Sequence, residues 1–295
     1  MLRRDFIKRS SLLAFSVSAF GGIHWNGEQF IGNSPTTTDI LGPFYRPDAP
    51  IRANIIPPGS NGIPMNLRGT ILSHDGVTTL ENALVEIWQC DENEHYDNVS
   101  DDYLFRGGLI TGKDGKYNFQ TIVPVPYLIN PNVPDSWRPA HIHMRVSAPD
   151  QQDLITQIYF KGDPHIEKDE WASAERASHR TLEILTDGEG ARSVAFDVVM
   201  SKEFPLDDKV YREITGLYNM EDKSRIEFIR SDDLLLMKRN GQLIEALRYA
   251  GNNTFEGGVG FPKVTFELTG REVTHAKIML ENRSISGERY LKYSK

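Results

Sequence analysis

The sequence predicts an all-β protein with two domains, a β-sandwich followed by a smaller antiparallel β domain at the C-terminus. Short apolar runs with period-2 alternation recur along the chain, and Gly, Asp and Asn mark turns between them. Only one stretch has near-helical spacing. The 295 residues, of which 39% are hydrophobic, are enough for one large domain or for two smaller domains with separate cores.

Residues 1–23 have the layout of an export signal rather than of a folded element. Arg3, Arg4 and Lys8 come first, and a short apolar run over residues 12–20 follows. That run is too short to span a bilayer, so the protein is not expected to span a membrane after export. The sequence RRDFIK resembles the twin-arginine motif, which predicts a periplasmic or extracellular protein. The alternative to an export signal is an amphipathic N-terminal segment of a cytosolic protein.

The predicted sandwich domain covers residues 33–205. Its candidate strands are short and alternating, and they are separated by turn residues: NLRGTILS, ALVEIWQC, YNFQTIVPV, AHIHMRVSA, LITQIYF and SVAFDVVM. Between residues 167 and 185, the spacing of Trp171, Ala174 and Ala177 predicts one helical interlude. Cys90, within a predicted strand, is expected to be a small buried residue rather than a nucleophile.

The predicted C-terminal domain covers residues 210–295. Asp232-Asp233, Asn240-Gly241, Asn252-Asn253 and Thr269-Gly270 punctuate alternating runs and predict hairpin turns. This pattern resembles the antiparallel β module appended to secreted serine hydrolases. It contains no cluster of His, Cys or paired carboxylates, so we expect a structural or interaction module.

Charge and cysteine content exclude several classes of protein. The net charge is −8, and no long basic run follows the N-terminus, so nucleic acid is not an expected partner. A single cysteine excludes an intrachain disulfide and a thiolate metal cluster. The sequence gives no signal for the oligomeric state.

His141 and His143, in the stretch WRPAHIHMRV, are the first candidates for a functional site. In a strand, side chains at i and i+2 project from the same face, so the two imidazoles would lie together. They are either a satisfied pair on a polar sheet face or part of a metal site. A catalytic metal needs further ligands and an open position, and the candidates are Tyr96 and Tyr127, each in a loop that follows a strand.

Five ordered stretches make the region from residue 38 to residue 163 resemble the intradiol ring-cleavage dioxygenases. These are non-haem ferric enzymes that split catechols between the two hydroxyls. The stretches are GPFYRPDAP, ALVEIWQCDENEHYDN, DGKYNFQTIVPVPY, WRPAHIHMRVSAP and LITQIYFKGDP. The resemblance implies a β-sandwich that inserts both atoms of O₂ into a catechol-type diol and yields a muconate-type diacid.

The resemblance also implies the roles of individual residues. Tyr96, Tyr127, His141 and His143 would bind Fe(III), which hard phenolate oxygens favour over Fe(II). Tyr127 would in addition accept a proton from the diol. Arg138 would stabilise negative charge that develops on the substrate ring, and Gln157 would form a hydrogen bond nearby.

Two other classes of function stay open at this point. A zinc hydrolase would use His141 and His143 together with a further His, Asp or Glu, and none stands out at ligand spacing. A non-catalytic β-sandwich binding module would not need two tyrosines and two histidines together. Two neighbouring residues are assigned no role: His95 is expected to face solvent, and Arg145 shares the strand face of the two histidines.

Overall fold

The structure of the protein is a computed structural model. It describes residues 24–25, 30–31, 35–130, 132–133, 135–202, 206–269 and 272–290. The predicted export signal, residues 1–23, lies outside the described residues.

The regular secondary structure in the first part of the described chain consists of short strands and two short 3₁₀ helices. The strands are β1 (His24–Trp25), β2 (Phe30–Ile31), β3 (Pro64–Leu72), β4 (Leu84–Trp88), β5 (Arg106–Ile110), β6 (Lys116–Ile122), β7 (Tyr127–Leu128), β8 (Trp137–Arg138), β9 (His141–Ser147), β10 (Gln151–Gln152), β11 (Leu154–Phe160), β12 (Thr181–Leu182), β13 (Leu185–Thr186), β14 (Arg192–Ala195), β15 (Val198–Val199) and β16 (Ser201–Lys202).

Two five-stranded sheets form the sandwich. One has the order β12-β11-β9-β4-β5, and the other has β13-β14-β3-β15 with β6 paired to β3. Apolar side chains from both sheets meet in one core, which includes Leu67, Val85, Phe119 and Ile142. Burial of this apolar surface provides the main stabilisation of the domain.

Strand β9 is buried on both of its faces. Ile142, Met144 and Val146 belong to the sandwich core. The alternate residues His141, His143 and Arg145 project from the opposite face and are also at most 4% exposed. Loops and the C-terminal domain therefore cover the face that carries the histidines.

The C-terminal domain is a closed antiparallel barrel in which each strand pairs with its neighbours in sequence. The helix α1 (Asp208–Ile214) precedes it, and Asp207 caps α1 by accepting the N–H of Lys209. The barrel strands are β17 (Gly216–Met220), β18 (Arg225–Ser231), β19 (Leu234–Arg239), β20 (Gln242–Gly251), β21 (Thr254–Glu256), β22 (Lys263–Thr269), β23 (Glu272–Met279) and β24 (Ser284–Arg289). Side chains such as Tyr218, Phe228, Phe255 and Phe266 fill its interior.

The predicted all-β class, a sandwich with a smaller antiparallel C-terminal domain, is confirmed. The predicted turns at Asp232-Asp233, Asn240-Gly241 and Asn252-Asn253 connect successive barrel strands. Asn240, Gly241, Asn252 and Asn253 all have positive φ, as tight hairpin turns require. The fourth predicted turn includes Gly270, which lies outside the described residues. The division of the chain at residues 33–205 and 210–295 stays a prediction.

The predicted helical interlude is wrong in its type. The stretch contains two short 3₁₀ helices, Ile166–Lys168 and Glu175–Arg180. Asp169 ends the first one in an extended conformation, and its carboxylate accepts the N–H groups of Trp171 and Ala172. This local hydrogen bonding competes with a continuous helix.

Candidate active site

One row of side chains crosses three strands of the first sheet at the candidate site. His143 on β9 lies opposite Trp88 on β4 and opposite Gln157 on β11. The indole of Trp88 and the imidazole of His143 are parallel within 4°, with ring centroids 4.9 Å apart. Strand register thus places the imidazole between an aromatic platform and a buried amide.

The Nε2 atoms of His141 and His143 lie close to each other. The two atoms are 3.2 Å apart. The Nδ1 of His141 lies 2.7 Å from the carbonyl oxygen of Pro139, which can only accept, so Nδ1 carries the proton. The Nε2 of His141 is therefore unprotonated, and its lone pair is available to a metal ion.

The two predicted tyrosines converge on the histidines. The Oη of Tyr96 lies 3.3 Å from the Nε2 of His141. Tyr127, on β7, has its ring centroid 5.5 Å from that of Tyr96 and 5.5 Å from that of His141. Phe44 stacks on Tyr96 with centroids 4.2 Å apart and fixes the direction of its phenol. All four predicted metal ligands are therefore brought together.

The electrostatic state of these groups suits a bound cation. Burial holds the pKa values of His141 and His143 well below the usual range, so both imidazoles are neutral at pH 7. Burial also raises the pKa of Tyr96, and it raises that of Tyr127 to about 12 although Arg138 opposes the shift. The charge of Arg138 alone therefore does not ionise these phenols at neutral pH, and a bound metal cation would favour their ionised form.

Arg138 is buried and held from several sides. Its side chain pairs with Asp169 at 2.7 Å and donates to Gln157 Oε1 at 2.8 Å and to Tyr159 Oη at 3.2 Å. Its guanidinium also lies over the ring of Trp171. Strands β7 and β8 pair Tyr127 with Arg138, and the positive charge of Arg138 acts to lower the pKa of the Tyr127 phenol. Both predicted catalytic partners, Arg138 and Gln157, lie at the site.

Sequence reasoning missed several residues that support the site. A Cβ at Gly42 would lie 3.1 Å from Cε1 of His143, so the backbone of Gly42 is a wall of the imidazole pocket. Arg106 is 1% exposed and donates to the carbonyls of Asp97 and Phe44. It therefore holds both the residue that follows Tyr96 in the chain and the residue whose ring stacks on Tyr96. Gly42 and Phe44 lie in the stretch GPFYRPDAP, which carries the family resemblance, but nothing in that stretch indicates these contacts.

Two neighbours take no part in the ligand cluster. The side chain of His95 is 80% exposed, as expected for a residue that faces solvent. Arg145 shares the face of the histidines, but its guanidinium pairs with Asp153 and Asp232. Within the described residues, no group of three or more His, Cys, Asp or Glu side chains is arranged to hold a metal ion.

Comparison with known proteins decides the family. Residues 40–202 match the profile of the family described as Dioxygenase, which is more than half of the chain. The chain belongs to the intradiol ring-cleavage dioxygenase family. It is 31% identical over 186 residues to chlorocatechol 1,2-dioxygenase of Rhodococcus opacus, a match that covers 56% of this chain and 72% of the relative.

This intradiol dioxygenase is also similar to enzymes named for other 1,2-diols. Hydroxyquinol 1,2-dioxygenase of Corynebacterium glutamicum is 31% identical over 179 residues, covering 56% of this chain and 58% of that protein. The solved structure of catechol 1,2-dioxygenase from Pseudomonas arvilla C-1 is similar, with a TM-score of 0.52 and 26% identity. It covers 58% of this chain and 63% of that one. The protein is therefore an oxidoreductase, and the zinc hydrolase and the binding module are disfavoured.

Proposed function

We propose that Tyr96, Tyr127, His141 and His143 together hold one Fe(III) ion, and that the site cleaves an aromatic 1,2-diol with O₂. The observation that carries this proposal is that Tyr96 Oη and His143 Nε2 lie 3.3 Å and 3.2 Å from the Nε2 of His141. Two relatives are named for their action on chlorocatechol and hydroxyquinol, which supports a catechol-type substrate.

The residues present fit ferric iron. Two phenol oxygens are hard donors that become anionic beside a cation, and neutral imidazole also suits iron. The tautomer of His141 leaves Nε2 free to bind, because its Nδ1–H donates to Pro139. When bound, Fe(III) supplies Lewis acidity and a template for the diol.

The side chains around the ligands have separate tasks in this proposal. Tyr127 accepts a proton from a diol hydroxyl at its Oη. Arg138, held by Asp169 and Gln157, places positive charge where negative charge develops on the substrate ring. Gln157 accepts a hydrogen bond from the guanidinium of Arg138 at Oε1, and its Nε2 donates to the carbonyl of Ile40. Trp88 and Phe44 keep the ligand rings in place and exclude water from them.

The reaction balances without an outside reductant. A catechol gains both atoms of O₂, the bond between the two hydroxyl-bearing carbons breaks, and each of these carbons becomes a carboxyl carbon. The catechol supplies the electrons that reduce O₂. The product is a cis,cis-muconate-type diacid.

Oxygen uptake with a panel of diols tests the proposed function. We expect one O₂ consumed per catechol, both atoms of ¹⁸O₂ in one ring-opened diacid, and no uptake with resorcinol, whose hydroxyls are not adjacent. The Tyr96→Phe protein should show greatly reduced uptake. Iron-loaded wild-type protein that left every 1,2-diol intact, or that opened the ring beside the hydroxyls, would contradict the proposal.

We also propose that the chain is exported by a twin-arginine route, because RRDFIK precedes a short apolar run. No helix in the described residues is long and apolar enough to cross a membrane. Fractionation of cells that produce the wild type or the Arg3→Lys, Arg4→Lys variant tests this. Wild-type protein that stays in the cytosolic fraction would contradict export.

A further inference from the structure

The backbone segment at residues 38–42 runs beside the candidate site and is fixed to β11. The N–H of Asp39 donates to the carbonyl of Ile155 at 3.0 Å. The side chain of Gln157 donates to the carbonyl of Ile40 at 2.8 Å. These two bonds attach the segment to the sandwich sheet on one side.

The C-terminal barrel holds the other side of the segment at two points. Glu245, on β20, accepts the N–H of Leu41 at 3.1 Å through Oε1, and it also accepts the N–H of Ala246. Thr38 donates to the carbonyl of Gly258 at 2.5 Å. A Cβ at Gly258 would lie 1.7 Å from the carbonyl oxygen of Asp39, so the two backbones are in direct contact there.

This segment in turn contacts a candidate metal ligand. Gly42, which follows Leu41, has φ of +72° and lies against the imidazole of His143. Any shift of Leu41 therefore moves the wall that confines this ring. The bond to Glu245 is one residue away from that wall.

An apolar cluster joins the barrel to the same imidazole from a second direction. Trp88, which stacks on His143, shares one buried cluster with residues of both domains. The members from the sandwich are Leu41, Tyr45, Trp88 and Ile155, and those from the barrel are Leu234, Leu236 and Ala246. The barrel thus contacts both the segment and the aromatic ring that hold His143.

We infer that the barrel is a structural part of the active site and that Glu245 is a positioning residue, which fixes the imidazole of His143 through Leu41 and Gly42. This inference rests on the proposed iron site. It gives the C-terminal domain a role in the same reaction rather than in a separate binding activity.

The protonation state of Glu245 makes the inference testable by a conservative variant. Its side chain is 5% exposed, and burial raises its pKa to about 8 although the two backbone N–H groups oppose the shift. Glu245 is therefore largely neutral at pH 7. A glutamine at this position keeps the shape and an oxygen that accepts both N–H groups, whereas leucine keeps the size and accepts neither.

The test compares full-length iron-loaded proteins by two readouts, the visible tyrosinate-to-Fe(III) band and the rate of iron loss to a chelator. Glu245→Leu should shift the band and speed iron loss by about tenfold or more, as for other residues that orient metal ligands. Glu245→Gln should match the wild type in both readouts. Gly258→Ala, which forces the barrel away from Asp39, should repeat the effect of Glu245→Leu.

Two control variants separate positioning from general stability. Phe266→Leu weakens the barrel core, a cluster that includes no residue of the segment 38–42, so it should lower the unfolding midpoint and leave the band unchanged. Glu267→Leu changes an exposed glutamate of the same barrel and should alter neither readout. If Glu245→Leu does not fold, Gly258→Ala and Glu245→Asp, whose shorter side chain cannot reach Leu41, provide the same comparison.

The outcomes distinguish this inference from the proposed function. Folded Glu245→Leu and Gly258→Ala proteins with the band and iron loss of the wild type would overturn the inference. So would a Phe266→Leu protein with the same band shift as Glu245→Leu. An iron-loaded wild type without a tyrosinate band would instead overturn the proposed iron site.

Discussion

The indole of Trp88 lies parallel to the imidazole of His143, with ring centroids 4.9 Å apart and an interplanar angle of 4°. The two residues are cross-strand neighbours on β4 and β9. Trp88 is 2% exposed and also touches the apolar cluster between the two domains. One side chain therefore links the candidate metal site, the sheet and the barrel.

Replacement of Trp88 by alanine should affect stability and iron binding together. We expect the free energy of unfolding to fall by about 3–5 kcal/mol, because a large buried ring is lost, and iron loss to a chelator to become faster. Phe119→Ala should lower stability by a similar amount without changing iron loss, since Phe119 lies in the sandwich core. Equal iron-loss rates for the wild type and Trp88→Ala would contradict the support that we assign to Trp88.

Gly42→Ala should lower iron occupancy. A methyl group there would lie 3.1 Å from His143 Cε1, and the φ of +72° adds backbone strain. Gly59→Ala is the matched control, because Gly59 has φ of +84° but nothing within 4 Å of an added Cβ. Iron content per chain and the visible spectrum measure the effect. Equal losses in both variants would mean that strain, rather than contact with His143, is responsible.

Arg138→Ala should keep the visible band and lose turnover. We expect kcat to fall by about 10²–10³-fold, the usual effect of removing one group that stabilises developing charge. Asp169→Asn should cause a smaller fall, since it weakens the ion pair that holds the guanidinium at 2.7 Å. Arg68→Ala, at an exposed position, is the control. Unchanged kcat/KM for every tested diol in Arg138→Ala would rule out its catalytic role.

Glu245 should make stability depend on pH. Its pKa is raised from 4.5 to about 8 in the folded protein, mainly by burial, with a further upward contribution from Asp39 and an opposing one from Arg248. Folding favours the neutral form of the Glu245 carboxyl group, so its contribution to the free energy of unfolding is fully present below pH 4.5. It is lost as pH rises to about 8, at up to about 1.4 kcal/mol per pH unit.

Denaturant unfolding of the wild type and Glu245→Gln between pH 5 and pH 8 measures this contribution. The free energy of unfolding of the wild type should fall more steeply with pH than that of the variant. Effects of pH on the metal site are common to both proteins and cancel in the difference. Parallel pH dependences would show that Glu245 does not titrate in this range.

Much of the site could be predicted from the sequence because its main parts follow local rules. Period-2 alternation places His141 and His143 on one face of β9 while Ile142 and Met144 enter the core. The resemblance of the stretches around Tyr96 and Tyr127 to the intradiol family indicated both tyrosines, and turn residues such as Asn240-Gly241 predicted the barrel hairpins. These features depend on residues that are near each other in the chain.

The missed features depend on contacts between distant residues. Leu41 and Glu245 are 204 positions apart, and no local pattern around either one indicates the other. Asp169 falls within the predicted helical interlude, but its carboxylate accepts the N–H of Trp171 and pairs with Arg138. The bond between Leu41 and Glu245 is recognised only after the two domains are assembled, and the pair of Asp169 and Arg138 only after the sandwich has folded.

The position of the metal tests the central claim most directly. Crystals of the iron-loaded protein, measured at the iron absorption edge, locate iron independently of any assumed ligand. We predict one anomalous peak per chain, within coordination distance of Tyr96 Oη, Tyr127 Oη, His141 Nε2 and His143 Nε2. Iron bound elsewhere, in protein that cleaves diols at full rate, would contradict the account.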